Sequence, residues 1–144
     1  MTRHGATGEL HGFANNTGHL LRIRPELGVV ARMPHLRGAH NVQLVGDDVF
    51  VNHTLARTFE VHACDGGGRP RARVALDAVS APSEQFATSG WIRGMCWVNR
   101  ETLVVGTSPA ALIAIDLTTM RVTDRLQLEQ EITHAVHGLA SGPE

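Results

Sequence analysis

Lysine and tyrosine are absent from the 144 residues, cysteine occurs twice, and aromatic residues make up only 4%, so several common chemistries lose their usual side chains at once. Without lysine the chain has no ε-amine for a Schiff base and no Walker-type phosphate lysine. The basic residues are all arginine, the kind of bias a GC-rich genome imposes. Cys64 and Cys96 lack CxxC spacing, which points to ordinary thiols and away from a disulfide framework or a zinc site. No apolar run approaches the roughly 20 residues of a transmembrane helix, so no membrane partner is expected. The signatures GxSxG, HExxH and a helix-opening GxGxxG are missing. Gly66-Gly67-Gly68 reads as a hairpin turn with no helix start after it to hold phosphate.

What is present fits one globular domain. Hydrophobic residues at 42% and charged residues at 19% exclude a disordered chain. A formal net charge of -1 argues against a general nucleic-acid binder. The opening residues Met1 to Ala6 carry Arg3 but no apolar stretch, so no secretory leader is expected there, and a cytoplasmic setting is the default expectation. On that expectation the sequons at Asn15 and Asn52 carry no weight.

The chain repeats itself. Arg37-Gly38-Ala39-His40-Asn41-Val42 is echoed by Arg93-Gly94-Met95-Cys96-Trp97-Val98. A polar turn follows each, and then an apolar strand, Val49 to Val51 in one copy and Leu103 to Val105 in the other. Third strands come next: Phe59 to Ala63 alternates apolar and polar residues, and Leu112 to Leu117 is apolar enough to be buried on both faces. Fourth strands are expected at Arg71 to Leu76 and Val122 to Leu128. Short strands joined by tight turns, repeated at a period of about 40–50 residues, form the pattern of a β-propeller blade. Glu9 to Ala14, His19 to Ile23 and Gly28 to Met33 then read as a blade without its first strand. The segment Ile132 to Leu139 reads as a first strand with nothing after it, able to complete that blade. Fifteen glycines and the lack of a sustained helical stripe argue against an α-rich alternative, with Glu129 to Ala140 the one stretch open to a helical reading.

The stretch Trp91 to Asp116, with Ile92-Arg93-Gly94, Leu103-Val104-Val105-Gly106-Thr107-Ser108 and Ile113-Ala114-Ile115-Asp116-Leu117, resembles NHL-like propellers. It is most similar to a bacterial propeller family whose last blades carry an Arg-Gly-Leu, a Val-Gly-Leu-Ser and an Ile-Asp-Leu strand. Thr107 stands where that family has Leu, and the chain is far shorter. The resemblance implies an all-β, partial β-propeller of about three blades, at 9–33 plus 132–139, 38–78 and 92–128, and supplies no catalytic residues. Propellers close with about 4–8 blades, so a homodimer forming a six-bladed ring is expected, with a fragment or a ring completed by another polypeptide as alternatives.

In such a ring the first strands line a central channel. His40, Cys96 and His134 occupy equivalent positions on them, Arg37 and Arg93 stand near two of these, and the loops add Asn52, His53 and Ser108. Arg37 and Arg93 present planar forks of donors suited to carboxylate or phosphate. Imidazole and thiolate could also take a transition metal, but no close ligand spacing supports one, and no cofactor or metal is expected. Equally, such arginines and histidines could simply pair with neighbouring blades. On a strand, His134 and His137 point to opposite faces and form no metal motif. Trp91 and the connection 80–90 are candidates for contact with a protein partner. The expected role is a non-catalytic binding module for a small anionic ligand or a protein segment. The alternatives are a lyase or hydrolase using His40 and His134, and a scaffolding fragment.

Overall fold

The structure, a computed structural model, describes residues 2–3, 9–65, 67–76, 91–131 and 133–141. It is all-β. The strands are β1 (Thr2–Arg3), β2 (Leu10–Ala14), β3 (His19–Arg24), β4 (Gly28–Arg32), β5 (His40–Val45), β6 (Asp48–His53), β7 (Thr58–Ala63), β8 (Ala72–Ala75), β9 (Trp91–Trp97), β10 (Thr102–Ser108), β11 (Ala111–Asp116) and β12 (Arg121–Gln127). One 3-10 turn, Pro34–Leu36, precedes β5. The strands form three four-stranded sheets in chain order, β1-β2-β3-β4, β5-β6-β7-β8 and β9-β10-β11-β12. The strand pairs of the first and third sheets are antiparallel, as is the β5–β6 pair. Among the described residues no helix is long and apolar enough to cross a membrane.

The turns explain why the strands break where they do. Val45 pairs with Asp48, so Gly46-Asp47 is a two-residue hairpin loop, and Gly46 takes φ +60 as a primed turn requires of its first residue. Gly18 closes the β2–β3 hairpin at φ +69, and a Cβ there would lie 2.2 Å from the Met33 carbonyl oxygen. That carbonyl belongs to the residue whose own amide donates to Gly18 O at 2.6 Å, so the turn and the end of β4 are locked to each other. In the third sheet two side-chain oxygens hold the hairpins. Asn99 Oδ1 accepts from the amides of Glu101 and Thr102, and Asp116 Oδ1 from those of Thr118 and Thr119.

The chain divides into two compact units, one of 1–53 with 59–73 and one of 54–58 with 74–144. In the first, Leu20, Ala31, Met33, Leu36, Ala39, Val49 and Val51 form a buried core flanked by Phe13, Val42, Leu44 and Cys64. In the second, Ile92, Leu103, Val105, Ile113 and Ile115 are fully buried.

One strand differs from its expected burial. β11 alternates strictly between buried and half-buried residues, so it has one covered face where two were expected. β7, whose sequence alternates apolar and polar residues, is covered on both faces: Thr58 through His62 are all buried. The polar face of β7 is covered by ionisable partners, described below.

The C-terminal segment is the larger correction. Expected as the innermost strand of the first sheet, its described part, 133–139, forms no strand. The position beside β2 belongs to β1, with Thr2 paired to His11 and Arg3 to Leu10. The segment instead lies on the third sheet, where Gly94 N donates to Val136 O at 3.2 Å and Val136 N donates to Thr107 O at 3.1 Å. The cause is steric. Gly94 and Gly106 present no side chains, and a Cβ on Gly106 would meet Val136 Cγ1 at 2.6 Å, while one on Gly94 would meet Leu139 Cγ at 3.0 Å. The helical reading of Glu129 to Ala140 also fails for its described residues. The connection 80–90 and Ile132 lie outside the described residues.

Candidate functional site

Of the eight residues singled out from sequence, Arg37, His40, Asn52 and His53 fall in the first unit and Arg93, Cys96, Ser108 and His134 in the second. Arg37 is exposed at the end of the 3-10 turn. His40 and Asn52 sit opposite each other in the β5–β6 register, with Asn52 fully buried. Ser108 is buried at the end of β10, and its bond to Pro109 is cis. Cys96 lines a hollow of about 380 Å³ with Val98, Val104, Leu139, Ala140 and Ser141, and its thiol is 3.5 Å from Trp97 O. His134, expected on an inner strand, is an exposed residue of the C-terminal segment.

Arg93 has the richest surroundings of the second-unit group. Its guanidinium carbon stands 4.2 Å from the ring centroid of Trp91, two residues earlier on the same face of β9. Its Nη1 lies 3.1 Å from His137 Nδ1, which the C-terminal segment brings over the sheet. An arginine nitrogen can only donate, so His137 accepts at Nδ1 and is neutral at that nitrogen. Trp91 is 50% exposed and His137 is exposed, while Arg93 between them is half-buried with its Nε shut off from water.

The first unit holds a constellation that sequence reasoning passed over except for His53. Glu60 and His62 lie two apart on β7, hence on one face, and each is 1% exposed. His62 Nε2 is 2.7 Å from Glu60 Oε2. Arg73 of β8 reaches the other oxygen, with Nε donating to Oε1 at 2.9 Å. His53 of β6 places Nδ1 3.6 Å from Oε2, inside ion-pair range but too far for a hydrogen bond. The ring of His35, from the 3-10 turn, lies 5.1 Å from that of His62 at a tilt of 41°.

A buried carboxylate is tolerable only when paired and hydrogen-bonded, and here both oxygens are engaged. His35 titrates below its ordinary range because burial disfavours its charged form, a charge on His62 repels it, Glu60 opposes the shift and His53 adds to it. Burial also raises the Cys64 thiol, with the carboxylates of Asp47 and Asp65 adding to the effect. Among the described residues no three His, Cys, Asp or Glu side chains are placed to hold a metal ion. The available signal for the buried cluster was the Glu-x-His spacing in a β-patterned run, which reads equally well as a solvated face.

Compared with known proteins, the chain matches no family model and no curated protein.

Proposed function

We propose that the chain is a non-catalytic binding module that takes a small anionic ligand at Arg93, on a scaffold of three propeller blades. The observation that carries the reading is the stacking of Arg93 on half-exposed Trp91 with His137 beside it. Stacking occupies one face of the guanidinium and leaves hydrogen bonding to its ring plane, the geometry in which carboxylate and phosphate oxygens are met, with Nη1 beside His137 and Nε buried. Recognition of a protein segment is the second reading, favoured by the exposure of Trp91, since aromatic anchors dominate protein contacts.

Three antiparallel sheets in chain order support the blade assignment and the likeness to NHL-like propellers. Since rings close with about 4–8 blades, two chains are proposed to combine into one six-bladed ring. Sedimentation equilibrium tests this directly: twice the chain mass is expected, and a monomer at all concentrations overturns it.

Ligand binding is tested by titrating tryptophan fluorescence with inorganic phosphate and with citrate. A saturable change is expected for the native chain and for the surface control R121Q, and its loss is expected in R93Q. No saturable response in the native chain, or full retention in R93Q, overturns the anion reading.

A further inference from the structure

The Glu60 cluster joins the 3-10 turn to the sheet behind it through titratable groups, beside the buried Leu36 of the same turn. His35 Nε2, His53 Nδ1 and His62 Nδ1 are each buried and make no hydrogen bond among the described residues. Among the described residues, the charged and titratable groups at the cluster include His35 from the turn, His53 from β6, Glu60 and His62 from β7, and Arg73 from β8. Glu60 supplies the negative charge among them, and Arg73 already lies on its Oε1.

We propose that His35, packed on His62 beside Glu60 and His53, is an acid-operated latch: its neutral imidazole holds the 3-10 turn against β7, and its protonation below neutral pH releases the turn while the strands of the unit persist. The rings of His62 and His53 both face Glu60 Oε2. A proton on His35 enters a half-buried site whose carboxylate is already engaged by His62 and Arg73, where an added charge is weakly screened. The ordering follows from position: His35 is the member carried by the turn, and the others are carried by strands. The depressed titration of His35 gives the same sign. As pH falls through its ordinary value the released form binds the proton and the latched form does not, so acid favours release.

The turn reports on itself. Leu36 N donates to Met33 O at 2.9 Å, Arg37 N to Pro34 O at 3.3 Å and Ala39 N to Leu36 O at 3.0 Å. Amide hydrogen exchange, corrected for the intrinsic effect of pH, is to be followed by NMR between about pH 7.5 and 5.5, the range in which histidine titrates. Protection at these three amides is expected to be lost as pH falls through this range, while amides of β2 and β3 keep theirs. H35Q, and H35N as a second neutral replacement, are expected to give turn protection independent of pH over the same range. The latch is overturned if protection of the native turn does not change, if it falls in step with β2 and β3, or if either neutral variant retains the response.

Discussion

His62 donates its Nε2–H to Glu60 Oε2 across 2.7 Å, and both side chains leave the same face of one strand while being shut off from water. A carboxylate can only accept, so the contact fixes the proton of a neutral His62 on Nε2 and leaves Nδ1 as the lone-pair nitrogen. One strand thereby carries a buried charge and the residue that orients around it, with Arg73 matching the charge from the next strand.

Replacing Glu60 is therefore expected to damage the first unit. E60A removes the acceptor of both Arg73 and His62 and should lower stability by about 1–3 kcal/mol, the cost of leaving buried polar groups unsatisfied. The figure stays below that for a fully buried ion pair because the Arg73 side chain is 55% exposed. Urea denaturation read by circular dichroism measures it, and a change within error would show that the cluster does not contribute to stability.

Gly106→Ala should dislodge the C-terminal segment. The new methyl would stand 2.6 Å from Val136 Cγ1 and 2.9 Å from Val136 O, a clash that the segment relieves by moving away or the sheet by distorting. Overpacking of this kind costs about 1–3 kcal/mol. Loss of exchange protection at the Val136 amide is the expected readout, and the double variant G106A/V136G should restore part of it.

Asp116 gives a pH dependence of known sign. Backbone hydrogen bonds from Thr119 and Thr118 hold its carboxyl below the usual carboxylate range, against an opposing effect of desolvation. A carboxylate with a lowered folded-state pKa contributes stability that is present above its unfolded value and is lost as pH falls through the folded value. Acid unfolding curves of D116N should accordingly converge on those of the native chain at low pH and separate from them above the ordinary aspartate range.

Cys64 should be slow toward thiol reagents near neutral pH. Its raised titration keeps the thiolate scarce, and the thiolate is the nucleophile. Stopped-flow reaction with a disulfide reagent, followed by peptide mapping, should find Cys64 modified more slowly than a free cysteine peptide, and D47N should narrow the gap.

Strand positions were legible in the sequence because half-buried strands leave a period-two trace and their turns carry Gly, Asn and Asp. Leu20, Val49, Val51, Leu103 and Ile113 lie on strands expected from the sequence and are buried there. The buried cluster was not legible, since Glu60 and His62 produce the same alternation whether their face meets water or meets His35 and Arg73. The path of the C-terminal segment was hidden for a different reason. Its docking depends on Gly94 and Gly106 lacking side chains, and a glycine in a strand does not announce what approaches it. The candidate residues chosen for their equivalence between repeats fared unevenly: Arg93 lies on β9 with a defined cation–aromatic contact, whereas His134 is carried by a segment that forms no strand.

The lock between Gly18 and Met33 has a consequence for any randomised library of this chain. Asn16 and Thr17 are exposed and should accept many codons, while position 18 combines a left-handed backbone with a carbonyl 2.2 Å from where a first side-chain carbon would stand. Selection for folded variants should thus return a nearly invariant column flanked by permissive ones, and alanine should be rejected there as firmly as tryptophan.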